Sequence, residues 1–315
     1  LRFFLTTNTS MGMDLRYDEE KVKSTWNFVN KLWNASRYVL MNIEDLKEVN
    51  LDNIDLEDKW ILTKLNRTIK NVTKNMAKYD FNIVGNTLYS FIWDIFCDKY
   101  IELSKFNMNA SRKSVLYLVL SSILKMMHPF MPYVTEEIYG MLPIKDCETI
   151  MLSAYPKYNK KHIFIKEEKI IDDVLEFITL FRNKKQELSI GSDYSTTLEI
   201  EDDKVKNIII NMLKLKDKIV PSVTDKDNFV NIKLKNISIN IIYDNSKDIL
   251  ELLANLEKEK TNIIASITRR EKLLANENYV NKAPSNVVES ERNNLAKEKE
   301  KLLDLEDKIK KYKET

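Results

Sequence analysis

Four glycines and six prolines in 315 residues leave this chain almost without turn-formers, and that scarcity constrains its fold more than any other feature. Gly12, Gly85, Gly140 and Gly191 stand apart, so no two of them build the glycine-rich loop with which a Rossmann domain or a P-loop cradles phosphate. Long helices remain as the natural outcome for a sequence that is 43% hydrophobic and 31% charged. At about 150 residues per domain, the length allows roughly two domains with substantial cores.

With 50 Lys+Arg against 48 Asp+Glu the net charge is +2, so no global field draws in nucleic acid and any such contact has to come from local patches. Cys97 and Cys147 are too few for a disulfide framework or a four-thiolate zinc site, and His128 and His162 are the only histidines. No metal site is therefore expected, and a reduced cytoplasmic setting is. Neither a membrane span nor a signal peptide is expected from the hydropathy pattern. The first residue is Leu1 rather than Met, and a piece of a longer chain is the expectation.

From about residue 17 to 142 the pattern is helical. Val22, Trp26, Val29, Trp33, Leu40 and Ile43 recur at steps of three, four and seven, which predicts one helix with these residues on its buried face. Lys23, Asn27, Lys31, Asn34 and Tyr38 share another face. A second helix near 58–78 buries Ile61, Leu65, Val72 and Met76 and carries a basic stripe of Arg67, Lys70, Lys74 and Lys78. A third, at about 80–105, is apolar nearly all round, as a central bundle helix is. A fourth, 111–127, is stopped by Pro129 and Pro132, and a short fifth covers 133–142.

Beyond Pro156 another amphipathic helix is predicted over 166–188, followed by strands at Thr197–Ile200 and in the two period-two runs Val230, Ile232, Leu234 and Ile237, Ile239, Ile241. A helix at about 203–215 lies among them. In the last section, Ile249, Leu256 and Ile263 are spaced by sevens, as are Ile267 and Leu274, and, past Pro284, Val288, Leu295, Leu302 and Ile309. Two helices of roughly 28 residues, each about 42 Å long, would form an antiparallel coiled-coil hairpin. Asn286 with Glu289 would cap the returning helix.

No catalytic constellation emerges. His128, in HPFMP, is expected to hydrogen-bond at a helix end. The pairs Glu136/Glu137 and Asp172/Asp173 point about 100° apart on a helix and are expected to be solvated, whereas Asp202/Asp203 suit a helix start. Binding surfaces are more promising. Lys31, Asn34, Arg37 and Tyr38, on a helix that also carries Trp26 and Trp33, combine phosphate contact, amide edge readout and stacking. At the hairpin tip, six basic residues between Lys258 and Lys282 outnumber three acids, and Arg269 and Arg270 are adjacent.

The segments LRFFLTTNTSMGMDLRYDEEKV (1–22), NKLWNASRYVL (30–40), DKWIL (58–62), LYSFIWDIFCDKYIE (88–102) and HPFMPYVTEEIY (128–139) resemble the anticodon-binding half of the class I aminoacyl-tRNA synthetases. LANENYVNKAPSNVVESER (274–292) is similar to the hairpin turn of the valyl-tRNA synthetases, and the resemblance runs over essentially the whole chain. It implies a mainly α fold: a connector at 1–20 resembling the stretch after KMSKS, a helical-bundle anticodon-binding domain at 21–156, a small α/β module at 157–247 and a coiled-coil tRNA-binding arm at 248–315. It implies further that ATP with Mg, the HIGH and KMSKS motifs and the editing domain belong to other parts of a parent enzyme that joins valine to its tRNA. The fragment itself would have no catalytic residue, no cofactor and no metal, and would be inactive alone. Its partners would be valine tRNA and the parent's catalytic and editing domains, in a monomeric, cytoplasmic protein without membrane contact. Lys31, Asn34, Arg37, Tyr38, Arg67 and Lys70 would meet the anticodon region, and Arg269, Arg270, Asn281 and Lys282 the outer corner of the tRNA. The chain departs from the family pattern in being rich in Asn, Lys and Ile, with lysine at places where bidentate base contacts favour arginine. Two other readings stay open: a coiled-coil interaction protein that binds no RNA, and the equivalent part of an isoleucyl or leucyl enzyme.

Overall fold

A computed structural model describes the backbone of residues 2–7, 13–14, 17–223, 228–243, 245–275 and 285–314; the side chains of 245–255, 285–287, 308 and 310–314 lie outside that description. The chain forms two compact units, one of Leu1–Thr179 with Ile200–Asp217, the other of Leu180–Glu199 with Lys218–Thr315.

The first unit is helical. It contains α1 (Arg2–Thr7), α2 (Glu19–Ile43), α3 (Leu56–Met76), α4 (Phe81–Ser90), a π-helical stretch (Phe91–Tyr100) that runs on into α5 (Ile101–Ser104), α6 (Ala110–Met127) and α7 (Pro132–Gly140). α2 starts where Asp18 accepts from the Glu20 amide at 3.0 Å, and Glu19 and Glu20 complement the positive end of its dipole. Its buried residues are Phe28, Leu32, Ala35, Ser36, Val39 and Ile43. The predicted buried face is therefore wrong for Trp26, which is 63% exposed. Two residues of helix rotate a side chain by about 200°, so a core centred on Phe28 turns Trp26 outward. In α3, Ile61, Leu65 and Val72 are buried as expected and Met76 is half-buried, while Arg67, Lys70 and Lys74, and Lys78 just past the helix, face out.

α1 lies close enough on α4 that a Cβ at Gly85 would meet Thr7 Cβ and Cγ2 at 2.3 Å; only glycine permits this approach. α7 opens with Pro132 in its first turn, where the missing N–H costs nothing. At the end of α6, His128 Nδ1 lies 2.8 Å from Thr135 Oγ1, the structural role expected for it. Glu136 is not a solvated acid: it accepts from Thr149 Oγ1 at 2.8 Å and from the Ile150 amide at 3.4 Å.

The middle of the bundle holds a buried ionic cluster that the sequence reading missed. Arg112, 1% exposed, donates from Nε to both Asp58 oxygens at 3.1 and 3.3 Å and from Nη2 to Asp55 at 3.1 Å. Tyr100 Oη donates to Asp58 at 2.6 Å. Burial holds the Asp58 carboxyl above its ordinary value, opposed by Arg112 and the Tyr100 hydroxyl. A charge removed this completely from water needs these partners.

α8 (Ile165–Glu187) buries Ile171, Val174, Phe177, Ile178 and Phe181. α9 (Asp203–Leu213), capped by Asp202 through the Lys204 amide at 2.8 Å, belongs to the helical unit rather than to a separate α/β module. Its apolar positions Val205, Ile208 and Ile209 are buried, and it packs beside α5.

The second unit contains β1 (Tyr194–Ile200), β2 (Phe229–Leu234) and β3 (Ile237–Tyr243) in the order β1-β3-β2. β2 and β3 are antiparallel, with Val230 opposite Ile241, Ile232 opposite Ile239 and Leu234 opposite Ile237. The two-residue loop between them puts Lys235 at φ 53°, as such tight loops require. α10 (Asn245–Leu274) and α11 (Ser285–Glu314) pack as a pair. The expected turn, 276–284, is outside the described residues, and so is the Asn286 side chain expected to cap α11.

Candidate nucleic-acid interface

Each unit carries one surface to which the sequence assigns binding. In the helical unit it is the outward side of α2 and α3. Lys31 is already engaged there: its ammonium sits 3.8 Å from the Trp93 ring centroid and pairs with Asp98. Trp93 stacks on Tyr89 with centroids 5.6 Å apart, and Tyr89 lies tilted against Phe28 at 4.9 Å, so Lys31 caps an aromatic column rooted in the core. Tyr38 is also turned inward, with its hydroxyl 3.0 Å from Ser104 Oγ. Asn34 and Arg37 are exposed. Of the four residues assigned to α2, the structure thus presents two to solvent and ties two into the bundle.

On α3, Arg67 Nη2 donates to Glu168 Oε2 at 2.7 Å but keeps 56% of its side chain exposed. Beside it Lys64 bridges Glu168 at 3.1 Å and Asp172 at 2.8 Å, and Trp60 Nε1 donates to Asp172 at 2.9 Å. Asp172 was expected to be solvated; instead it locks α8 to α3, because a buried indole needs an acceptor. Lys70 Nζ lies 5.4 Å from the Tyr158 ring centroid. Lys74 and Lys78 have no ion-pair partner among the described residues. Of the basic stripe, Arg67 is thus engaged with α8 and Lys70 lies near the Tyr158 ring, while Lys74 and Lys78 stay open.

The coiled-coil unit follows the heptads: Ile267, Val288, Leu305 and Ile309 are buried, and Leu256, Ile263, Leu274, Leu295 and Leu302 are half-buried. Interhelical pairs join Lys260 to Glu306 and Arg270 to Glu298, partner numbers falling on one helix as they rise on the other, as an antiparallel pair requires, and Lys299 also joins Glu271. Glu291 and Glu298 interrupt the apolar seam at heptad positions and are met by Arg270, with Ser266 also donating to Glu298 at 3.0 Å. The hydrogen bond that Arg270 donates to Glu291 raises its guanidinium above its ordinary value. Adjacent Arg269 is exposed, without an ion-pair partner among the described residues. The expected contacts Asn281 and Lys282 lie outside the described residues.

Burial pushes the Cys97 thiol up to about 12, which keeps it protonated at neutral pH, and burial lowers His162, which keeps it neutral. Among the described residues no group of three His, Cys, Asp or Glu is placed to hold a metal, and no helix is long and apolar enough to cross a membrane. Sequence reasoning missed the exposure of Trp26, although a signal existed: residues 21–43 contain four basic residues and no carboxylate.

Comparison with known proteins gives matches in two segments of the chain. Residues 58–201 match the anticodon-binding domain of tRNA ligase, and residues 248–313 match the valyl tRNA synthetase tRNA binding arm. A valine–tRNA ligase from Staphylococcus saprophyticus is 40% identical over 313 residues, covering 93% of this chain and 36% of the relative. The corresponding proteins of Staphylococcus epidermidis and Listeria innocua are each 38% identical, again over 93% of this chain, and are covered to 36% and 35% of their own lengths. The chain thus spans just over a third of the curated relatives it matches.

Proposed function

We propose, from the premise that residues 58–201 belong to the anticodon-binding domains of tRNA ligases and residues 248–313 to the tRNA-binding arms of valyl tRNA synthetases, that this chain is the tRNA-binding part of a valine–tRNA ligase. The observation that carries the reading is the occurrence of both tRNA-binding segments in one chain, at high identity to valine–tRNA ligases over nearly all of it.

On this reading the helical unit receives the anticodon loop and the coiled coil holds the outer corner of the tRNA. Asn34 and Arg37 supply amide and guanidinium groups to the loop, Arg67 and Lys70 meet the neighbouring backbone, and Lys31 and Tyr38 shape the surface from beneath. Arg269 is an exposed cation of the arm without an ion-pair partner among the described residues, Asn281 and Lys282 join it in meeting the outer corner, and Arg270 stiffens the hairpin through Glu291 and Glu298. Phosphate contacts from such cations set affinity, and the amides and rings discriminate bases. ATP with Mg2+ and the joining of valine to tRNA belong to the rest of a monomeric, cytoplasmic parent enzyme, which this part serves by positioning the tRNA.

The test is binding of the 315-residue chain to valine tRNA and to the same tRNA with its anticodon replaced, at physiological salt. Tighter binding of the unaltered tRNA is expected. Equal affinities would remove the anticodon role, and equal binding of isoleucine and valine tRNA would remove the valine assignment.

A further inference from the structure

The outward side of α2 carries more chemistry than the assigned contacts use. Trp26, Asn27, Asn30, Asn34, Arg37 and Met41 are all exposed, in steps of one to four residues that keep them on a common face. From Trp26 to Arg37 that face rises about 16 Å at 1.5 Å per residue. Trp26 is 63% exposed and Met41 75%, an unusual use of large apolar side chains. Elsewhere in the same unit Trp60 is 1% exposed and donates to Asp172, Trp93 is stacked on Tyr89 beneath Lys31, and Trp33 is half-buried. No hydrogen bond or ring contact among the described residues engages Trp26 or the amides of Asn27 and Asn30.

The surrounding charge selects the occupant. Residues 21–43 hold Lys21, Lys23, Lys31 and Arg37 and no carboxylate. Lys31 is neutralised by Asp98, whereas Lys21, Lys23 and Arg37 are exposed. Glu19 and Glu20 stand at the start of the helix, and from residue 21 on its free indole face is flanked by amides and cations, the three elements that hold an unpaired nucleotide: stacking, edge hydrogen bonding and phosphate attraction. A duplex offers no exposed base face to such a ring.

We propose that Trp26 is the stacking platform of the RNA interface: an unpaired base of the anticodon loop lies on its indole, within reach of the amides of Asn27 and Asn30, while Arg37 meets the backbone. This assignment rests on the tRNA-binding reading above and adds to it a specific base-contacting residue outside the matched segment 58–201.

The experiment compares the unsubstituted chain with Trp26→Ala and Trp26→Phe, measuring affinity for a hairpin RNA with the anticodon stem and loop and for a blunt RNA duplex of equal length. A stacked base contributes about 1–3 kcal/mol, so Trp26→Ala should weaken hairpin binding about five- to 150-fold. Trp26→Phe should recover most of that loss, duplex binding should change little, and the thermal midpoint should stay near that of the unsubstituted chain because the ring is mostly exposed. Hairpin affinity unchanged in Trp26→Ala, while the unsubstituted chain prefers hairpin over duplex, would overturn the stacking role and leave the tRNA reading standing. If the unsubstituted chain binds neither hairpin nor tRNA, both fail together. An equal loss on hairpin and duplex, or no recovery in Trp26→Phe, would also overturn it.

Discussion

Arg270 Nε donates to Glu298 Oε2 across the coiled-coil hairpin at 3.1 Å, while its neighbour Arg269 faces solvent. Two adjacent arginines therefore have separable tasks. Arg270→Ala should lower the thermal midpoint of the arm, because Glu291 and Glu298 lose their partner at the seam. Arg269→Ala should leave the midpoint unchanged and reduce the slope of log affinity for tRNA against log salt by about one, the signature of a lost phosphate contact. Circular dichroism melts and salt titrations separate the two; a shared phenotype would refute the division.

Arg112→Ala should destabilise the helical unit by about 3–5 kcal/mol, since it strands Asp58 without its counter-charge. Lys113→Ala, which breaks only the surface bridge to Asp45, is the control and should change stability little. Urea titrations of both variants decide the matter: comparable losses would mean that burial of the Arg112 cluster contributes nothing special.

Gly85→Ala should cost about 1–3 kcal/mol, the usual penalty of overpacking, because the new methyl would stand 2.3 Å from Thr7 Cβ and Cγ2. Gly140→Ala, where a Cβ meets nothing within 4 Å, should be neutral or slightly stabilising. Denaturant midpoints of the two variants should therefore move apart.

The Tyr139–Asp146 hydrogen bond, 2.6 Å long, predicts a pH dependence with two edges. Burial raises the Asp146 carboxyl, but the Tyr139 hydroxyl and Lys125 outweigh it, and its folded value lies below 3.8. Its contribution is full above the unfolded value and is lost as pH falls through the lower folded one. Burial first, then Asp146, pushes Tyr139 from 10.0 up to about 12, so the contribution of the neutral hydroxyl is full below 10 and is lost as pH rises through about 12. The stability difference between the unsubstituted chain and Tyr139→Phe should be level from about pH 5 to 9 and shrink below about pH 4. A difference that persists unchanged at pH 3 would show that the bond does not titrate as described.

Helix positions were legible because hydrophobic period is a local property: α3, α6 and α8 begin and end within two residues of where caps, prolines and spacing put them. The face of α2 was not. Val22, Trp26, Val29 and Trp33 make one acceptable apolar arc and Phe28, Leu32, Val39 and Ile43 another, and period alone cannot choose between arcs on the same helix. Packing on α6 and on the π-helical stretch chose the second and left Trp26 outside. Among the candidate contacts, Asn34, Arg37 and Arg269 are exposed, whereas Lys31, Tyr38 and Arg270 found partners 67, 66 and 28 or fewer positions away. Such pairings have no signature in the sequence near either residue.

The sequence by itself determined that this chain is helical, that its last section is a heptad hairpin and that its segments resemble tRNA-binding parts, because period, turn-formers and motif spelling act over a few residues at a time. The tertiary structure alone decided which charges are spent inside the fold and which remain for a ligand. That choice depends on side chains brought together from distant positions: Asp58 with Arg112, Trp60 with Asp172, Lys31 with Trp93 and Asp98. For Asp58 and Trp60 desolvation makes an unpartnered polar group too costly to leave buried, whereas Trp26, Arg37 and Arg269 remain exposed.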